Sequence, residues 1–182
     1  FNTSNVTNMK DMFFGASYLT SLDVSNFDTS NVTTMSGMFR NCSNLTTLNV
    51  SNFDTSNVKS MGNSNLGWDD GMFQGCSKLT YLDLSSFDTS NVSMMMKMFN
   101  GCSSLTSLNL SSFNTSNVKS MNRMFSECIS LISVDLSNFD TSKVQEMVGM
   151  FENCKKLESI NLKDVNTSNI YNMSYMFAGC TS

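Results

Sequence analysis

The chain has 182 residues, with 15 acidic against 11 basic side chains, no histidine and no proline. The missing histidine excludes Ser-His-Asp and Cys-His catalysis and any His-containing zinc site, and the formal net charge of −4 disfavours binding to a phosphate backbone. Apolar residues make up 40%, too many for a disordered chain, yet no run approaches the ~20 apolar residues of a membrane-spanning helix.

Self-similarity organises everything else. Met-Phe recurs at 12–13, 38–39, 72–73, 98–99, 124–125, 150–151 and 176–177, a period of 26 with one insertion of eight residues. All phenylalanines and methionines except Phe14, Met94 and Met96 fall on equivalent positions. A fixed period in this range marks a solenoid, in which each unit buries its apolar face against its neighbours. The chain reads as one such body over residues 1–182.

In chain order, the first unit opens at Phe1-Asn2-Thr3-Ser4-Asn5, with no signal peptide, and carries Ala16 where later units have cysteine. Segments such as Leu105-Thr-Ser-Leu108-Asn-Leu110 alternate with period two and predict half-buried strands. The following Thr-Ser-Asn corners are rich in residues that bend chains onto their own backbone. Then Val118, Met121, Met124 and Phe125 form an apolar stripe read as two helical turns, with Ser or Thr as N-cap and Ser142-Lys-Val-Gln145 fitting a capping box. Gly15, Asn41, Gly75, Gly101, Asn153 and Gly179 stand where a left-handed C-cap is expected, with Glu127 as the exception. The expected fold class is therefore an α/β leucine-rich-repeat solenoid, with short parallel strands on a concave face and short helices on the convex face.

The resemblance lies in Leu-x-x-Leu-x-Leu-x-x-Phe followed by Thr-Ser-Asn-Val-x-x-Met-x-x-Met-Phe-x-x-Cys. This pattern resembles the BspA-type leucine-rich repeat of bacterial surface proteins, over the whole chain except the insertion. It differs from the common leucine-rich repeat in placing Phe where Asn usually forms a buried ladder. The resemblance implies cell-surface or extracellular display and attachment to host or matrix protein. It does not imply an enzyme, and it offers no catalytic residues to carry over.

Cys42, Cys76, Cys102, Cys128, Cys154 and Cys180 share one repeat position. Stacked equivalents splay too far for bridging, so they read as reduced core thiols and not as disulfides. The Met-x-x-Met stripes read as packing, with no metal or cofactor assigned. Met94 and Met96 are expected on the helix exterior. Calcium binding by Asp28, Asp54, Asp88 and Asp140, and ice binding by the threonine ladder, are weaker readings than side-chain turns.

Candidate ligand-binding residues fall in two places. Within about 62–71, the insertion carries Trp68, Asp69 and Asp70, which read either as an exposed binding loop or as a cover over the interrupted helix. On the concave face the middle strand position reads Asp23, Asn49, Asp83, Asn109, Asp135 and Asn161, an alternation that either spaces like charges or forms a polar track. Tyr81 is the aromatic anchor on that face. The leading expectation is a protein-binding, adhesive module, and the alternative is a spacer projecting another domain from the surface. Neither unit at the ends looks like a polar cap, so a truncated chain with head-to-tail stacking of its ends is also expected.

Overall fold

The computed structural model describes residues 1–63 and 70–182. The period of the sequence becomes seven stacked coils joined by lateral hydrogen bonds. Parallel bridges run Asn8–Thr34–Ser60–Met94–Ser120–Glu146–Asn172, one residue from each coil. Seven short strands are present: β1 (Ser21–Leu22), β2 (Thr47–Leu48), β3 (Ser60–Asn63), β4 (Asp70–Gly71), β5 (Met94–Met95), β6 (Ser133–Asp135) and β7 (Ser159–Asn161). β1 pairs with β2, β3 with β5 and β6 with β7, all parallel, whereas β3 and β4 pair antiparallel as a hairpin.

The predicted helices are absent. Among the described residues there is no helix, so the architecture is not an α/β leucine-rich-repeat solenoid. The reason is visible in the first coil. A helix would send each N–H to the carbonyl four residues back. Instead Met12, Phe14 and Ala16 donate to Met9, Asp11 and Phe13, three residues back, at 3.3, 3.0 and 3.1 Å. The alternate N–H groups, of Met9, Asp11, Phe13 and Gly15, donate sideways to Thr34, Ser36, Met38 and Arg40 of the next coil at 2.8 to 3.0 Å. The apolar steps of the sequence fit successive tight turns as well as they fit a helix.

Left-handed residues enforce this choice. One column reads Asp11, Gly37, Lys97, Arg123, Gly149 and Tyr175, with φ between 53° and 66°. A second reads Gly15, Asn41, Gly75, Gly101, Glu127, Asn153 and Gly179, with φ between 60° and 75°. Two such residues within one turn-rich segment are incompatible with a right-handed helix.

The core is a set of ladders. Phe13, Phe39, Phe73, Phe99, Phe125, Phe151 and Phe177 stack with centroids 5.3 to 5.8 Å apart and planes within 10°. This parallel, closely spaced geometry contributes beyond simple area burial. Beside the rings, each cysteine Sγ donates to the carbonyl of a phenylalanine one coil back, as in Cys102 to Phe73 and Cys128 to Phe99 at 3.1 Å. All six cysteines are free thiols, and five are fully buried. One apolar cluster runs without a break from Met9 to Leu157.

Polar ladders hold the opposite corner. Thr29, Thr55, Thr89, Thr115 and Thr141 are buried, and each hydroxyl donates to a backbone carbonyl of the following coil at 2.7 to 3.0 Å. Asn31, Asn57, Asn91, Asn117 and Asn169 donate through Nδ2 to a serine carbonyl of the preceding coil. A surface threonine array is therefore ruled out as an ice-binding face: these hydroxyls are inside and occupied.

Met96 also departs from expectation. It is buried, because the hairpin of β3 and β4 lies over the segment that follows β5. Gly62 and Gly71 permit this approach. A Cβ at Gly62 would fall 1.9 Å from the Met96 carbonyl oxygen, and one at Gly71 would fall 1.8 Å from that of Lys97.

Candidate binding face

The insertion and the strand face, the two regions singled out in the sequence, have different fates. Trp68 and Asp69 lie outside the described residues. Asp70 is described, and it is not an exposed contact. Its side chain is 2% exposed and pairs with Lys10 Nζ at 2.8 Å and with Arg40 Nη1 at 2.5 Å. Arg40 in turn approaches Asp11 at 3.3 Å and lies 3.9 Å over the Phe14 ring. Gly37 makes the room, since a Cβ there would meet Asp11 Oδ1 at 2.1 Å. Asp70 thus anchors the base of the inserted hairpin to the first two coils. Sequence reasoning missed Lys10, Asp11 and Arg40, which carry no motif and meet only because stacking aligns them.

The strand face keeps its predicted residues at the surface. Tyr81 is 71% exposed. It occupies a column otherwise filled by Ser21, Thr47, Ser107, Ser133 and Ser159, so its ring projects from a surface of small hydroxyls. Two residues further on, and therefore on the same side of the chain, lies Asp83.

Every member of the Asp/Asn column does the same local job. Asp23, Asn49, Asp83, Asn109, Asp135 and Asn161 each accept, through Oδ1, the backbone N–H two residues later, at 2.9 to 3.2 Å. Hydrogen bonds from the side chain and backbone of Ser25 lower the Asp23 carboxyl from its ordinary value, and those from the backbone and side chain of Ser85 and Ser137 lower Asp83 and Asp135. Among the described residues no lysine or arginine pairs with Asp23 or Asp83, and the amide nitrogen of Asn49 has no partner.

These residues frame a groove of about 590 Å³ across the first three coils. It is lined by Asp23, Thr47, Leu48, Asn49, Tyr81 and Asp83, among others. The groove lies where the backbone ladder is open: among the described residues no backbone hydrogen bond joins 46–49 to 80–83. Asn109 and Asp135 are exposed too, but they line a separate and smaller depression of about 170 Å³ with Leu108, Leu110 and Asn138. The structure thus brings Tyr81 and Asp83 together and keeps Asn109 and Asp135 apart from them.

The remaining Asp corners are structural. Asp28, Asp54, Asp88 and Asp140 accept the N–H of Ser30, Ser56, Ser90 and Ser142, and no cluster of three or more His, Cys, Asp or Glu side chains converges among the described residues. None of the described helices could cross a membrane, since there are none.

Neither a curated protein nor a solved structure matches the chain. A protein family does, over residues 1–64 and 70–182, so the match skips the insertion. The chain belongs to that family, described as Mycoplasma protein of unknown function, DUF285.

Proposed function

We propose that this chain is a protein-binding module of a cell-surface or secreted protein, attaching to host or extracellular-matrix protein through the face that carries Tyr81. One observation bears most of the weight. On the Thr-Ser-Asn corner the threonine and asparagine side chains hydrogen-bond to neighbouring coils, whereas around the groove an exposed tyrosine stands beside Asp23 and Asp83, which bond to nearby serines and pair with no cation among the described residues. Exposed aromatic anchors ringed by polar groups are the usual centres of protein interfaces. The resemblance of the repeat to BspA-type surface proteins favours the same reading. The chain acts here by binding and not by catalysis.

The test is surface plasmon resonance against a panel of matrix and plasma proteins, comparing wild type with Tyr81→Ala and Trp68→Ala. A protein ligand whose affinity falls about ten-fold or more in Tyr81→Ala, with circular dichroism unchanged, is the expected result. No binding by the wild-type chain to any member of the panel favours a spacer that projects another domain. The spacer has its own support in the near-identity of successive coils along one uninterrupted core.

A further inference from the structure

We propose that the groove across the first three coils receives an extended, arginine- or lysine-bearing segment of the partner protein, with a cationic head on the Tyr81 ring beside Asp23 and Asp83. The inference rests on the protein-binding reading above and names the chemistry of its ligand.

Three features converge on a cation. First, the Tyr81 ring is exposed and stacks on no other ring among the described residues, leaving a π face for a guanidinium or ammonium group. Second, the lining contains two carboxylates and neither lysine nor arginine, so the groove carries uncompensated negative charge. Each accepts the N–H of a nearby serine, Ser25 or Ser85, and neither pairs with a lysine or arginine among the described residues. Third, Thr47, Thr80 and Asn49 supply neutral donors and acceptors to an incoming main chain beside the open stretch of ladder. A neutral saccharide could stack on the same ring and donate hydroxyls to the carboxylates, but it would leave their negative charge uncompensated. An acidic partner would be repelled. The volume, about 590 Å³, is open to solvent along its length, as a surface segment lying in it requires.

The surrounding coils supply a clean variant. Asn49 and Asn109 stand at the position of Asp83 in adjacent coils and accept the same backbone N–H, so Asp83→Asn removes charge and keeps the turn. Fluorescence anisotropy with a labelled Ser-Arg-Ser-Arg-Ser-Arg peptide is the measurement, against the same peptide with citrulline in place of arginine. The arginine peptide should bind about ten-fold more tightly than the citrulline peptide and weaken as salt is raised. Tyr81→Ala and Asp83→Asn should each lower its affinity about five-fold, while Tyr81→Phe retains it. Equal binding of the two peptides, indifference to both variants, or preferential binding of a neutral oligosaccharide overturns the assignment. A matrix protein that binds wild type and the Tyr81→Ala, Asp83→Asn double variant alike overturns the groove and leaves the protein-binding module standing. Failure of every protein and of the peptide removes both.

Discussion

The coils from the fourth onward and the junction of the second with the third are built from the same repeat but held together differently. In the regular region, adhesion is shared evenly among rings, thiols and threonine hydroxyls, each contact repeated in the next coil. At the junction an inserted hairpin is clamped by charge, through Asp70 between Lys10 and Arg40, and on its other side its backbone packs directly on that of the fourth coil at Gly62 and Gly71. A distributed interface tolerates the loss of one member, whereas a concentrated one does not.

The sharpest way to break that comparison is to add a methyl group on each side of it. Gly62→Ala should destabilise by about 3 kcal/mol, because the obstructing atom belongs to a backbone held by the ladder and cannot rotate away. Gly101→Ala, where the nearest atom is 3.5 Å from the added Cβ, should cost about 1 kcal/mol from its left-handed φ of 71° alone. Urea unfolding followed by circular dichroism separates the two. Comparable losses would show that the hairpin is not pinned as described.

Asp70→Ala comes next, at about 2 kcal/mol. It removes a buried carboxylate from two cations, but Lys10 reaches solvent and Arg40 retains Asp11, which softens the effect. Trp68, the only tryptophan in the chain, reports on the insertion. Its fluorescence transition should move to lower urea in Asp70→Ala and separate from the circular dichroism transition, which follows all coils. Coincident transitions would mean that the insertion and the stack unfold as one unit.

The smallest effect belongs to the regular region and to alkaline solution. Burial pushes the Cys102 and Cys128 thiols well above their ordinary value near 9, and that of Cys154 up to about 12. Above pH 9 the unfolded chain releases protons that the native chain keeps, so stability is level below that point and declines from it upward. The decline should reach about 1.4 kcal/mol per interior thiol at pH 10. Cys102→Ala should flatten its share of the slope, read as the difference in urea midpoint between pH 8 and pH 10.

How far the sequence foretold all this depends on which residues carried a signal. The period, the insertion and the buried identity of Val118, Met121, Met124, Phe125 and Cys128 are legible, because apolar residues at fixed spacing have few places to go. The glycines and asparagines at positions such as Gly101 and Asn153 also spoke correctly of a left-handed backbone. What they terminate is a tight turn and not a helix. The other left-handed column is faint in sequence, since Gly37 and Gly149 favour positive φ but Lys97, Arg123 and Tyr175 at the same position do not. Without that second column the helix was the natural reading. On the strand face Tyr81 and Asp83 stood out as departures from a uniform surface, but the open ladder between coils that makes a groove beside them leaves no trace in composition.

The lateral hydrogen bonding has a mechanical consequence. Apart from the Lys10–Asp70 pair, the hydrogen bonds between coils join residues about 26 apart across regular junctions, so a coil is bound chiefly to the one before and the one after. A force applied at the two ends would peel coils singly, and each would shorten the rod by about 5 Å while releasing roughly 90 Å of slack. Chain length would be surrendered in equal instalments, with one longer step where the insertion lies. A tether of this kind limits peak tension by yielding, and it can rewind one turn at a time on the coils that remain.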